Sequence, residues 1–264
     1  MDASGYRTIG VARDGRVLTL TMNRPEALNA IDAVMHEELS RVFTDAARDP
    51  DSDVVVLTGA GRAFSAGGDI AWMQDAIDDP ASFERTAVEG KQIVFSLLDC
   101  EKPVVAKVNG AAIGLGATMA LFADVIFAAE DAKIADPHIR VGLVAGDGGA
   151  VIWPQLIGYA RAKEYLMTGD SLTAAEAARI GLINHAVPAA ELDQRVDDFT
   201  RRLVAGPRQA IRWTKTAVNI GLKQLAHGIM DVGLSYELIT NSSADHQEAV
   251  SAFRDKRRPV FTGR

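Results

Sequence analysis

Pro103-Val104-Val105-Ala106-Lys107-Val108-Asn109-Gly110-Ala111-Ala112-Ile113-Gly114-Leu115-Gly116 is the stretch whose reading decides the fold. Its first six residues form a short, nearly continuous apolar run, the mark of a strand buried on both faces. The small residues from Asn109 to Gly116 then end the strand and open a helix over 115–122. Two further runs repeat the pattern on either side: Asp53-Val54-Val55-Val56-Leu57-Thr58, closed by Gly59, and Asp124-Val125-Ile126-Phe127-Ala128-Ala129. Helical spacing over 81–98 separates the first two. Strands alternating with helices argue for an α/β core of the crossover type.

Upstream, residues 7–22 alternate around Asp14-Gly15 and predict a hairpin with an Asp-Gly turn. Asn29 stands where a helix N-cap belongs, with Asp32 three residues on, before apolar residues at helical spacing from Ile31 to Phe43. Downstream of about residue 150 the texture changes. Helical periodicity dominates 158–168, 173–180, 189–205, 207–222 and 226–253, with Gly206-Pro207 as a break. This predicts an α/β core over 1–195 and a helical region over 196–264.

Composition narrows the function classes. The chain has 264 residues, 48% of them hydrophobic, enough for a sizeable core. No 18-residue apolar run offers a membrane span. The net charge of −7, with no basic run before Lys256-Arg257-Arg258, argues against a nucleic-acid partner. The N-terminus lacks the regions of a secretory signal, and the single cysteine, Cys100, makes no internal disulfide; both suit a cytoplasmic location.

Three glycine-rich loops are candidates for chemistry: Gly59-Ala60-Gly61, Gly67-Gly68, and Gly110 through Gly116. None fits a dinucleotide fingerprint or a phosphate loop, and no paired Cys/His set offers a metal site. Phe64-Ser65-Ala66-Gly67 faintly matches a serine hydrolase elbow, with Ala63 in place of the first glycine. Small residues after a strand present bare backbone N–H groups, and those at a helix start carry the positive end of its dipole. Two such loops meeting at one place form an oxyanion hole. On spacing alone, tight turns that merely need small residues explain the pattern slightly better.

The wider pattern resembles the enoyl-CoA hydratase/isomerase (crotonase) family. The resemblance rests on Asn23-Arg24-Pro25-Glu26-Ala27-Leu28-Asn29-Ala30, on Leu57-Thr58-Gly59 with Phe64-Ser65-Ala66-Gly67-Gly68-Asp69, and on Lys102 through Gly114. Thr168-Gly169-Asp170, Ala174-Ala175-Glu176-Ala177, Gly181-Leu182-Ile183 and Phe253-Arg254-Asp255-Lys256-Arg257 extend it, in order, to the C-terminus. It implies a spiral core of repeated ββα units, a helical C-terminal region used in trimer packing, and assembly as a homotrimer or hexamer. It also implies an acyl-CoA thioester substrate with coenzyme A as part of it, no permanently bound cofactor, and a place in fatty acid metabolism. Carried over position by position, the oxyanion amides fall on Ala66 and on Leu115, the residue after Gly114. Gly67, Gly68, Asp69 and Ile70 then line the thioester channel, Ala27 and Leu28 lie near the adenine, and Lys256 reaches a coenzyme A phosphate.

The chain departs from the family pattern at the acid/base positions. Hydratases of the family carry two glutamates, where this chain has Thr118 and, after Pro137, His138. A carboxylate stands nearby in Val144-Ala145-Gly146-Asp147-Gly148-Gly149. Asp147 reads either as an N-cap for a helix beginning near Ala150 or as an acid/base. Two functions follow: an acyl-CoA-transforming enzyme with Asp147 and His138 as a non-standard acid/base set, or a catalytically inactive acyl-CoA-binding protein. Convergence of Asp147 and His138 beside the oxyanion hole separates them.

Overall fold

The structure, a computed structural model, describes residues 1–264. An antiparallel pair opens it, β1 (Ile9–Asp14) and β2 (Val17–Met22), followed by α1 (Ala33–Arg48). One unit then recurs: a long strand, a short strand, then helix. Its first copy is β3 (Val54–Gly59), β4 (Ala63–Ser65), α2 (Ile70–Asp78) and α3 (Pro80–Asp99). The second is β5 (Val104–Val108), β6 (Ala111–Ile113) and α4 (Leu115–Phe122). The third is β7 (Val125–Ala129), β8 (Lys133–Ala135), α5 (Gly149–Ile157) and α6 (Tyr159–Thr168). A short strand β9 (Leu172–Thr173), α7 (Ala174–Arg179) and β10 (His185–Val187) close the spiral. The helices α8 (Leu192–Val204), α9 (Arg208–Asn241) and α10 (Ala244–Arg254) complete the chain.

The long strands form one six-stranded sheet, β1-β2-β3-β5-β7-β10, parallel apart from the first pair. The short strands form a second sheet, β4-β6-β8-β9, parallel apart from its last pair. This is the spiral of ββα units. Val54 to Leu57 and Val104 to Ala106 are buried throughout, as strands covered on both faces require. Because β4 and β6 run parallel, with Ala63 opposite Ala111 and Ser65 opposite Ala112, the loops that leave them emerge side by side.

Three local expectations are corrected. Asp14 pairs with Val17, so the two-residue turn is Gly15-Arg16, with Gly15 at φ +53 supplying the left-handed conformation. The first helix begins at Ala33, and Asp32 is its cap, accepting from the Met35 amide at 2.9 Å; Asn29 is used elsewhere. The stretches 207–222 and 226–253 are not two helices broken near 224. A single 34-residue helix runs to Asn241, because its inward stripe of Ala226, Met230, Leu234, Glu237 and Asn241 continues unbroken. The real break is at Ser242, and Ser243 caps α10 through the His246 amide at 3.1 Å. Helix α8 spans residue 195, and one contiguous buried cluster runs from Ile9 in β1 to Leu234 in α9.

Candidate active site

The loops after β4 and β6 touch. A Cβ on Gly67 (φ +87) would lie 3.1 Å from the Ile113 carbonyl oxygen, and one on Gly114 (φ +54) 3.8 Å from the Gly67 Cα. Both have positive φ, and at Gly67 the space is tight as well, so both positions are glycine. The segment 24–31 clamps the first loop. Ser65 Oγ donates to the Asn29 carbonyl at 2.9 Å and accepts from the Gly67 amide at 3.2 Å. The Ile31 amide donates to the Gly67 carbonyl at 2.8 Å, and the Asp69 amide to the Ile31 carbonyl at 2.9 Å.

This clamp corrects one nominated donor. The Ala66 amide is already given to the Leu28 carbonyl at 3.0 Å. Of the amides from Ala66 to Asp69, that of Gly68 alone has no acceptor in the protein. Leu115 is the first residue of α4, so its N–H precedes any intrahelical acceptor and is likewise unpaired. The free pair is therefore Gly68 and Leu115. Ser65 is fully buried with its hydroxyl committed to Asn29, which removes it as a nucleophile. Asn29, at φ 56, donates to the Ala60 and Ala63 carbonyls at 2.9 Å each and accepts from the Arg24 amide at 2.9 Å. It ties the two segments together, a role hidden behind its resemblance to a helix cap.

The acid/base side is built from buried side chains. Strand β8 leads into Asp136-Pro137-His138, and His138 Nδ1 is hydrogen-bonded to Asp136 Oδ1. His138 Nε2 lies 3.5 Å from Asp147 Oδ2, and Thr118 Oγ1 donates to Asp147 Oδ1 at 3.2 Å. Asp147 does not cap α5; Gly148 holds the cap position without a side-chain bond. A Cβ on Gly114 would lie 3.7 Å from His138 Cε1, so the imidazole stands against the second amide loop. The three side chains offer metal-type donor atoms within 4.8 Å of one another. Of these donor atoms His138 Nδ1 and Asp136 Oδ1 are already bonded to each other, and Asp147 Oδ1 is taken by the Thr118 hydroxyl.

Charge is strongly coupled here. Burial works against a charged His138, but Asp147 and Asp136 outweigh it and hold its pKa well above the usual 6.5. Burial, reinforced by Asp136 and opposed by His138, raises the carboxyl of Asp147. A fourth member, Glu237, arrives from α9 and is pushed up to about 8 by burial, against the pull of His138. Helix α9 crosses the Asp147 loop at a glycine pair. A Cβ on Gly146 would meet the Gly233 carbonyl oxygen at 2.3 Å and Glu237 Oε2 at 2.8 Å. Glu237 and Asp136 escaped the sequence reading. A signal for Glu237 existed, since an acid in the apolar stripe of α9 breaks the pattern of that stripe.

These groups border a cavity of about 670 Å³ whose apolar walls include Trp72, Phe83, Leu143 and Leu234. Ala27, Gly67, Gly68, Asp69, Ile70 and Gly114 line it as expected. Leu28 does not; its backbone, at φ 54, serves the clamp instead. Lys256 is exposed and off the cleft, and the basic residue at the rim is Arg257, paired with Glu248 at 2.8 Å. His36, unforeseen, lines the cleft with its Nδ1 bonded to Glu89 at 2.7 Å and its ring 5.0 Å from that of Trp72. No helix is long and apolar enough to cross a membrane.

Comparison with known proteins agrees with this architecture. The family model for enoyl-CoA hydratase/isomerase matches residues 12–264. The 1,2-epoxyphenylacetyl-CoA isomerase of Escherichia coli is 35% identical over 94% of this chain and 95% of its own. The crystal structure of an enoyl-CoA hydratase/isomerase from Mycobacterium paratuberculosis superposes with a TM-score of 0.90, at 37% identity over 93% of this chain and 98% of that one. A β-diketone hydrolase from the cyanobacterium Anabaena, solved with (S)-3-oxocyclohexyl acetic acid, gives 0.84 at 33% identity over 90% and 96%. With its recurring ββα turns, its paired loops and a match running through nearly its whole length, the chain belongs to the enoyl-CoA hydratase/isomerase family.

Proposed function

We propose that the cleft binds an acyl-coenzyme A thioester and transforms it through its enolate, using a non-standard acid/base set. Negative charge developing on the thioester oxygen is received by the Gly68 and Leu115 amides, where losing one donor costs about 3–4 kcal/mol. Asp147 takes the proton from the carbon beside the thioester. His138, held as an imidazolium by Asp136, stabilises the developing charge and returns a proton to the product. The observation that carries this reading is the convergence of His138 and Asp147, 3.5 Å apart, beside Gly114. Thr118, standing where the resemblance expects a glutamate, supplies only a hydroxyl that orients Asp147. The inactive-binder alternative fits the missing glutamates equally well, but the cap position of α5 is held by Gly148 and Asp147 is turned to His138 and Thr118.

A second reading is β-diketone hydrolysis, the activity named for the Anabaena neighbour. It is favoured by the Asp147 carboxylate beside His138, which can take a proton from water, and by the amides that would receive the departing enolate. Incubation with saturated, 2-enoyl and 3-oxoacyl-CoAs and with a cyclic β-diketone, followed by mass spectrometry, separates the cases. A gain of water without loss of coenzyme A is hydration, and an unchanged mass with altered retention is isomerisation. Cleavage of the diketone alone sinks the thioester reading, and binding of thioesters without turnover revives the inactive binder.

We further propose a homotrimer or hexamer in which the helical C-terminal region packs between subunits. Exposed Trp213, Val218, Ile220, Val232, Tyr236 and Ile239 along α9 support it. A monomer in sedimentation at micromolar concentration excludes it. In such an assembly Lys256 would reach a coenzyme A phosphate only from a neighbouring subunit.

A further inference from the structure

Glu237 is the cleft carboxyl that the proton transfer above leaves unused. Its Oε2 is buried with no hydrogen-bond partner, and the side chain as a whole is 7% exposed. The Gly146 amide, which also leans on this carboxyl, is given to the Val144 carbonyl at 2.8 Å. The carboxyl lines the cleft together with Phe83, Leu143 and Leu234, surfaces that suit hydrocarbon. A buried acid among such walls is a donor in search of an acceptor, since burial favours the neutral O–H form. A hydrocarbon chain offers it nothing. His246, on α10, shows the complementary case. Its Nδ1 lies 2.6 Å from the Val141 carbonyl, which can only accept, so Nδ1 carries the proton. Its Nε2 lone pair is then buried without a partner in the wall of the same cleft.

We infer that Glu237 is a specificity-determining residue that donates a hydrogen bond to an oxygen carried by the acyl group beyond its thioester carbonyl. The substrates are then oxo- or hydroxyacyl thioesters rather than plain alkyl or alkenyl ones. This rests on the acyl-CoA reading of the cleft and sharpens it. The proton is needed on Glu237, so the preference is present below about pH 8 and fades above it. Asp136, His138 and Asp147 face the same carboxyl, and His246 shares the wall. Charge changes at these four groups act on both members of a matched ligand pair, and the ratio of affinities cancels what is common.

The test is equilibrium titration of butyryl-CoA against acetoacetyl-CoA and 3-hydroxybutyryl-CoA. Wild type should bind the better oxygenated ligand at least about fivefold more tightly than butyryl-CoA at pH 7, the size of one neutral hydrogen bond. Glu237→Leu should remove that factor, and Glu237→Gln, which keeps an N–H donor, should preserve most of it. Should Glu237→Leu fail to fold, the wild-type ratio of 3-hydroxybutyryl-CoA to butyryl-CoA at pH 6.5 and 9.5 decides, since it must fall at the higher pH and neither acyl group titrates in that range. A ratio near one in wild type, or one unchanged by Glu237→Leu or by pH, overturns the assignment of Glu237 while leaving the acyl-CoA reading intact. Failure of all three thioesters to bind overturns both.

Discussion

On one wall of the cleft stand the unpaired Gly68 and Leu115 amides, carried by two adjacent loops of the small sheet. On the other stand four side chains, Asp136, His138, Asp147 and Glu237, gathered from the chain after β8 and from α9. The amide wall gets its geometry from close backbone contact: glycines at 67 and 114 allow it, and the 24–31 segment fixes it. The side-chain wall gets its chemistry from exclusion of water, which ties the protonation of His138, Asp147 and Glu237 to one another. An amide cannot change its charge, so that wall works alike at every pH. The other wall is defined by where its protons sit.

The largest test of this division is Asp147→Asn. Asparagine keeps the shape and accepts from Thr118 as before, but it cannot take a proton, so kcat should fall roughly 10²–10⁴-fold with little change in the melting temperature. A loss under threefold would place the base elsewhere. Next comes Gly68→Pro, which deletes the N–H from the amide wall. A fall in kcat of about 10²–10³-fold is expected, with the pH–rate profile keeping its wild-type shape because no titrating group has been touched. A shifted profile would show that the two walls are not separable.

The smallest expected effect is on stability. The Glu237 carboxyl stays protonated to about pH 8 in the folded protein but has an ordinary value when unfolded, so the folded state binds the extra proton between roughly 4.5 and 8. That contribution is complete at low pH and is lost as pH rises through about 8. Between pH 5 and 8.5 the melting temperature of wild type should fall by at least about 3 °C relative to Glu237→Gln, which has no proton to lose. Parallel curves for the two proteins would show that the carboxyl is ionised in place.

The amide wall was largely legible in the sequence, because strands buried on both faces leave continuous apolar runs and the loops after them must be small. The short strands β4, β6 and β8 were not, since three residues carry no period to read. Gly68 was passed over for Ala66 because only the folded chain shows the Leu28 carbonyl consuming the Ala66 amide. On the other wall, Asp147 and His138 stood out as departures from a pattern. Asp136 stood unremarked two residues before His138, and Glu237 belongs to a helix whose partner lies far back along the chain. Pairings across such distances are set by tertiary packing, and local sequence holds no trace of them.

The contact of Gly146 with Gly233 has a consequence for how such a chain can be recombined. Gly146 cannot gain a methyl group and one on Gly233 would press to 3.2 Å on the Gly146 backbone, because the Asp147 loop and α9 meet there backbone to backbone. A C-terminal tail borrowed from a relative would bring its own residue to position 233. It would fit only if the 145–148 loop came from the same donor. The heritable module in this region is therefore the matched seam of loop and helix, and a crossover point chosen between residues 148 and 233 would divide it.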